Sequence, residues 1–193
     1  MSDASPIYGL VLAGGRSSRM GHDKSLIDYH GKSQREYLTE ILSIFCEKVF
    51  VSCKTTDGLP AHLHPLPDQF TIDSPLNGIL SAFQHNHEVA WLTMPVDMPF
   101  VDEAVLRFLI EHRDQTKAAT CFYDSDGKEP EPLLAIWEAT CNKPLFDYYK
   151  MGAISPRGFL KQQHINLLEA PDKRIHQNIN TSEELDRYRD NKL

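Results

Sequence analysis

The residues best suited to chemistry lie near the start of the chain. The apolar run Ile7–Leu12 passes through Ala13 into Gly14-Gly15, and Arg16, Arg19, Gly21 and Lys24 follow. Glycines let a backbone approach a ligand closely and aim several N–H groups at one point. Three cations in the same loop add positive charge, so the composition is that of a polyphosphate cradle. The spacing is neither of two common phosphate motifs. Five residues separate Gly15 from Gly21, and Lys24 comes three after Gly21. A Walker A loop needs four residues between its glycines and a lysine directly after the second. Gly14 and Gly15 are adjacent, which breaks the dinucleotide G-x-G-x-x-G pattern. Two carboxylates complete the candidate set. Asp68 follows Pro67 in a proline-rich stretch, and Asp97 sits between Pro95 and Pro99 after the apolar run 89–94. An aspartate in such a place is commonly a turn former or helix cap. Its placement at a strand end is what raises the functional reading.

The rest of the chain constrains what such a loop can serve. A formal charge of -7 over 193 residues speaks against general nucleic-acid or membrane-surface binding. It also makes a local cationic loop more telling. Cys46, Cys53, Cys121 and Cys141 form no C-x-x-C pair, so reduced thiols are expected rather than a zinc or redox motif. No apolar stretch reaches the roughly 20 residues needed to span a bilayer. Asp3 and Pro6 ahead of a short apolar run form no leader pattern, and a cytoplasmic location is expected. The nine histidines are scattered, and solvated or packed roles suit His62 and His64 better than metal ligation.

The elements that must position these residues alternate. Ile7–Leu12 reads as a buried parallel strand. Residues 35–45 carry apolar side chains at helical spacing, and 48–52 read as a second strand. A short third strand is expected near 62–66, and a helix after Pro75. A strong strand at 89–94 and a helix at 102–112 capped by Asp102 follow. Residues 118–123 and 133–137 read as two strands joined by a polar segment, 124–131. Short helices at 144–150 and 156–162, and a strand at 165–168, complete the run. Thr181 and Glu184 form a capping box, starting a terminal helix to about residue 189. Trp91 and Trp137 are expected in the core. Strand–helix alternation without a linker predicts one α/β domain over residues 1–193, a Rossmann-like three-layer sandwich with a mostly parallel sheet. Ligands on such sheets sit beyond the carboxyl ends of the strands, where Gly14, Asp68 and Asp97 would converge.

The segment from Leu12 to Lys24, L-A-G-G-R-S-S-R-M-G-H-D-K, closely resembles the nucleotide loop of nucleotidyltransferases with the nucleotide-diphospho-sugar transferase type of fold. Within these it resembles the molybdenum cofactor guanylyltransferases. Further likeness follows in the family's order: Pro67-Asp68, then Pro75-Leu76-Asn77-Gly78, Pro95-Val96-Asp97-Met98-Pro99-Phe100, and Asn178-Ile179-Asn180-Thr181-Ser182-Glu183-Glu184-Leu185. The resemblance implies transfer of GMP from GTP to molybdopterin with Mg²⁺ as cofactor, and Gly14 favours guanine over cytosine. Position by position, Leu12, Ala13, Gly14, Gly15, Arg16, Asp68 and Gly78 would contact the nucleotide. Arg19 and Lys24 would bind the triphosphate, and Asp97 would hold the metal. Asn178, Asn180 and Arg157 would face the acceptor. GTP and molybdopterin are thus the expected partners, with transient contact to cofactor-delivery proteins or molybdoenzymes. The chain departs from the family at Ser74, which stands for a glycine, at 52–54, which lack the usual asparagines, and at Ser182, which stands for a proline. A related enzyme using CTP or another phosphorylated acceptor, and a non-catalytic nucleotide-binding protein, are alternatives at this point. Retention of Lys24 and Asp97 speaks against the last.

Overall fold

The computed structural model describes residues 5–13, 24–55 and 59–177, with the backbone alone at Lys24. The loop residues Gly14, Gly15, Arg16 and Arg19, the acceptor-side Asn178 and Asn180, and the expected terminal helix lie outside the described residues.

Alternating apolar runs and helical repeats build a three-layer sandwich. The strands are β1 (Ile7–Leu12), β2 (Lys48–Cys53), β3 (Pro65–Pro67), β4 (Ala90–Pro95), β5 (Ala119–Tyr123), β6 (Pro130–Trp137) and β7 (Asn166–Leu168). They form one sheet in the order β3-β2-β1-β4-β6-β5-β7. The first four are mutually parallel, β6 runs antiparallel to β4 and β5, and β7 is parallel to β5. The helices are α1 (Gln34–Ser43), α2 (Leu76–His85), α3 (Glu103–Glu111), α4 (Asn142–Lys150) and α5 (Pro156–Leu160).

The period-2 alternation of the strands sorts their side chains between two cores. Val11, Val51, Leu92, Met94, Phe122 and Ile136 face α1 and α3. Leu10, Leu12, Trp91, Cys121, Ala135 and Trp137 face α2, α4 and α5. Trp91 and Trp137 are both fully buried, as expected, and pair across β4 and β6. Their indole N–H groups are satisfied by Asn86 O at 2.9 Å and by Pro132 O at 3.2 Å. Asp102 caps α3, accepting from Val105 N at 3.0 Å.

Two expectations need correction. The third strand is Pro65–Pro67, and Ala61–Leu63 is a 3-10 turn. His64, in the left-handed region at φ 46°, separates the two. Two prolines in three residues cannot donate to a ladder on both sides, so β3 lies at the edge of the sheet. The strand expected at 133–137 starts earlier, at Pro130. The connection tightens into a turn at Gly127 (φ 66°), where Asp124 N donates to Glu129 O at 2.7 Å. Glu131 therefore belongs to a strand rather than to a polar connector.

Candidate active site

Register brings the carboxyl ends of four strands to one edge. Leu12 is level with Ser52 on one side and with Pro95 on the other, and Cys53 is level with Pro67. Ala13, Asp68 and Asp97 each emerge within two residues of those levels. This is the convergence expected at the open end of a parallel sheet.

Asp68 is half-buried beside β2. Its backbone N–H donates to Cys53 O at 2.8 Å, and its Oδ1 accepts from Ser52 Oγ at 3.3 Å. Burial pushes its carboxyl above the usual range, against the Ser52 hydroxyl and the Lys54 charge, which favour ionisation. Gly78 of α2 lies beneath Ser52. A Cβ there would stand 2.5 Å from Ser52 Oγ and 3.0 Å from Leu12 Cδ2. The structure thus gives Gly78 a close-packing role under the site.

The loop after Asp68 is held by a residue that the motif contained but whose part was not foreseen. Asn77 Oδ1 accepts from Phe70 N at 3.1 Å, while its Nδ2 donates to Phe70 O at 2.6 Å and to Ile72 O at 3.2 Å. Ser81 Oγ accepts from Gln69 N at 2.8 Å. The signal was a buried amide in an otherwise apolar helix.

Asp97 opens on a cleft of about 240 Å³, lined also by Pro75, Glu131, Leu133, Pro156 and Arg157. Arg157 meets two carboxylates there: Nη1 to Asp124 Oδ2 at 3.1 Å and Nη2 to Glu131 Oε2 at 3.5 Å. Glu131 Oε1 accepts from Leu133 N at 3.0 Å. Burial raises the Glu131 carboxyl, opposed by the Leu133 amide and Arg157 and assisted by the charges of Asp97 and Asp124. Asp124 goes the other way. Desolvation works to raise it, but the Lys128 and Glu129 amides and the Arg157 charge together hold it low. Arg157 thus lines the same cleft as Asp97, while Glu131 and Asp124 were not foreseen. Glu131 is the second residue of β6 and Asp124 directly follows β5, and both lie in what reads in sequence as one polar segment, 124–131. Ser74, the departure from the family's glycine, ties the two halves of the cleft. Its Oγ donates to Ile154 O at 2.6 Å, just ahead of α5, and accepts from Leu76 N at 3.2 Å at the start of α2.

Lys24 opens a 3-10 turn, Lys24–Leu26. The chain then folds back around Asp28, whose Oδ1 accepts from Gly31 N at 2.6 Å and His30 N at 3.1 Å. Buried Tyr29 and neighbouring Ile27 pack with Phe100, three residues beyond Asp97. The segment leaving the cationic loop is therefore docked on the segment leaving the Asp97 strand.

Among the described residues no group of three or more His, Cys, Asp or Glu side chains could enclose a metal. Mg²⁺ does not require such a cage. It takes oxygen ligands, commonly one or two carboxylates plus substrate phosphates and water. Asp97, an oxygen donor on a cleft that also carries Glu131, fits that ion.

Residues 9–166 match the MobA-like NTP transferase domain. The chain belongs to this family. It is a nucleotidyltransferase, with the fold that the sequence implied. It is 31% identical to a molybdenum cofactor guanylyltransferase of Pseudomonas syringae pv. tomato, over 91% of this chain and 90% of that one. It is also 31% identical to a molybdenum cofactor biosynthesis bifunctional protein of Synechocystis sp., covering 93% of this chain but 52% of that longer protein. Among solved structures, molybdopterin-guanine dinucleotide biosynthesis protein A from Archaeoglobus fulgidus superposes with a TM-score of 0.78. That match covers 96% of this chain and 100% of that one at 23% identity, and it speaks for the fold. Among the described residues no helix is long and apolar enough to cross a membrane.

Proposed function

We propose that the protein transfers GMP from GTP to the terminal phosphate of molybdopterin, releasing pyrophosphate. The observation that carries this reading is the in-register convergence of Ala13, Asp68 and Asp97, in a chain about 31% identical to named guanylyltransferases over nine-tenths of their length.

The terminal phosphate oxygen of the acceptor attacks the α-phosphorus, a new P–O bond forms, and the bond to pyrophosphate breaks in line. Little covalent chemistry falls to the protein, so positioning and charge neutralisation dominate. Leu12 and Ala13 with the glycines after them lie along the nucleoside, and Asp68 fixes it from the β3 side. Arg19 and Lys24 would hold the triphosphate and stabilise the charge that builds on the leaving pyrophosphate, with Arg16 contacting the nucleotide. Asp97 holds Mg²⁺. The chemistry supplied by that ion when bound is Lewis-acid polarisation of the α-phosphate. Arg157 would face the acceptor, and Asn178 and Asn180 take their acceptor-side role from the family likeness alone. A phosphate nucleophile already ionised near neutral pH needs no general base.

Pyrophosphate release tests the reading. With Mg²⁺ and molybdopterin, GTP is expected to support release well above ATP, CTP and UTP. Equal or better release with CTP contradicts the guanine assignment, and none with any nucleotide contradicts transferase activity.

A further inference from the structure

We infer that Asp124 and Glu131 are positioning residues that fix the Arg157 guanidinium at the rim of the Asp97 cleft, where its remaining N–H donors take the attacking phosphate of the acceptor. The inference rests on the proposed guanylyl transfer and adds residues that neither the motifs nor the family likeness picked out.

A guanidinium offers five N–H donors in a rigid fork. One Nη1 proton goes to Asp124, and Nη2 faces Glu131. Three donors are left over, on a side chain that is 41% exposed and lines the cleft. A long arginine left alone would surrender much rotamer freedom to hold one pose for a ligand. Here the ordering is done before the ligand arrives, because both carboxylates are fixed independently of the arginine. Asp124 Oδ1 accepts from Lys128 N at 3.2 Å and Glu129 N at 3.3 Å, within the turn at Gly127. Glu131 is held by Leu133 N, and each carboxylate side chain is only 12% exposed. The backbone of Arg157 is fixed as well. Ser155 Oγ caps α5 by accepting from Gly158 N at 3.0 Å, and Lys161 one turn on pairs with Glu129 at 2.9 Å.

The electrostatics give the arrangement a direction. Asp97 and Glu131 share the cleft lining with Arg157, and Asp124 pairs with the guanidinium from outside that lining; burial first, then the Asp97 and Asp124 charges, raise the Glu131 carboxyl. A partly buried ion pair is weak evidence for stability, and an apolar replacement of the same size is often as good. Glu131 and Arg157 lie on the wall of the cleft, which places the guanidinium where a ligand in that cleft would meet it. Arg157 is the one cation among the described residues lining the cleft, and its remaining N–H donors suit a phosphate monoester approaching from the α5 side.

Steady-state kinetics at saturating Mg²⁺ and GTP, with molybdopterin varied, test this. In Glu131→Gln and in Asp124→Asn the KM for molybdopterin is expected to rise about tenfold, the scale of one charge-assisted contact. kcat and the KM for GTP should stay within about twofold. Arg157→Lys keeps the charge but loses the fork and lies on a partly exposed side chain, so it retains the fold; it should show the same selective rise. A merely structural role would instead lower the thermal midpoint and depress turnover without separating the two substrates, and that result overturns the inference. An unchanged molybdopterin KM in Arg157→Lys also overturns it, even if both carboxylate variants fail to fold. If wild-type protein makes no dinucleotide, the proposed function falls and the inference with it. If wild type turns over and no variant shifts the acceptor KM, the inference alone falls.

Discussion

Asp97 leaves the end of a fully buried strand between two prolines, and its carboxylate faces a cleft instead of either core. Loss of that charge should therefore be felt in chemistry and hardly at all in stability. Asp97→Asn is expected to lower kcat by at least about a thousandfold, roughly 4 kcal/mol of transition-state stabilisation. The thermal midpoint should move by less than about 2 °C. Surviving turnover would remove Asp97 from the metal-binding role. Asp68 predicts a pH effect. Burial favours its neutral form in the folded protein, so its folded-state pKa lies above the unfolded one. Its contribution to stability is fully present below the unfolded value of about 3.9 and is lost as pH rises through the elevated folded value. Relative to Asp68→Asn, which does not titrate, wild type should lose thermal midpoint as pH climbs from about 3.5 to 7. A constant difference between the two would contradict the burial argument. Both aspartates were legible because each comes soon after an expected strand, Asp97 after the apolar run 89–94 and Asp68 after the short strand expected near 62–66. Glu131 and Asp124 were not, because a run of Asp, Ser, Gly, Lys and Glu reads as solvated connector. Only the turn at Gly127 shows that Glu131 has already entered the next strand.

At the scale of elements, α2 is the floor beneath Ser52 and Leu12, the half of the site that the proposed function gives to the nucleotide. Its residues from Leu76 to Phe83 are all buried, which permits no outward adjustment. Gly78→Ala forces a methyl to within 2.5 Å of Ser52 Oγ, and Ser52 carries Asp68. The expected cost is about 1–3 kcal/mol in urea unfolding, together with weaker GTP binding by calorimetry. Unchanged affinity would show that Ser52 and Asp68 do not act through this floor. Helix and strand types were read correctly from periodicity almost throughout, with α1 and α3 within two residues of the expected bounds. The exception was β3. The expected stretch 62–66, His-Leu-His-Pro-Leu, did not reveal that His64 would break the run, nor that the prolines would confine it to the edge.

Across the whole molecule, the proposed function would divide the mixed sheet between two tasks: the parallel strands β1 to β4 would present the nucleotide and metal residues, and the antiparallel β6 with α5 the acceptor wall. The parallel half was visible from alternation of strands and helices. The antiparallel insertion of β6 between β4 and β5 was not, since hairpin strands 119–123 and 130–137 carry no mark of which one pairs inward. Close packing around both cores also shields the thiols. Burial pushes Cys46, Cys121 and Cys141 up to about 12, helped at Cys121 by the Glu131 charge and at Cys141 by Glu138. Cys53 is buried as well. Native protein should therefore react with a thiol reagent such as Ellman's only on unfolding, and rapid labelling of the folded state would contradict this packing. The central claim concerns where the α-phosphorus of GTP goes. Protein incubated with α-³²P-labelled GTP, Mg²⁺ and molybdopterin should place the label in a pterin-bearing guanine dinucleotide, with unlabelled pyrophosphate released. Label recovered only as GTP or free GMP, or transfer from labelled CTP in preference, would contradict it.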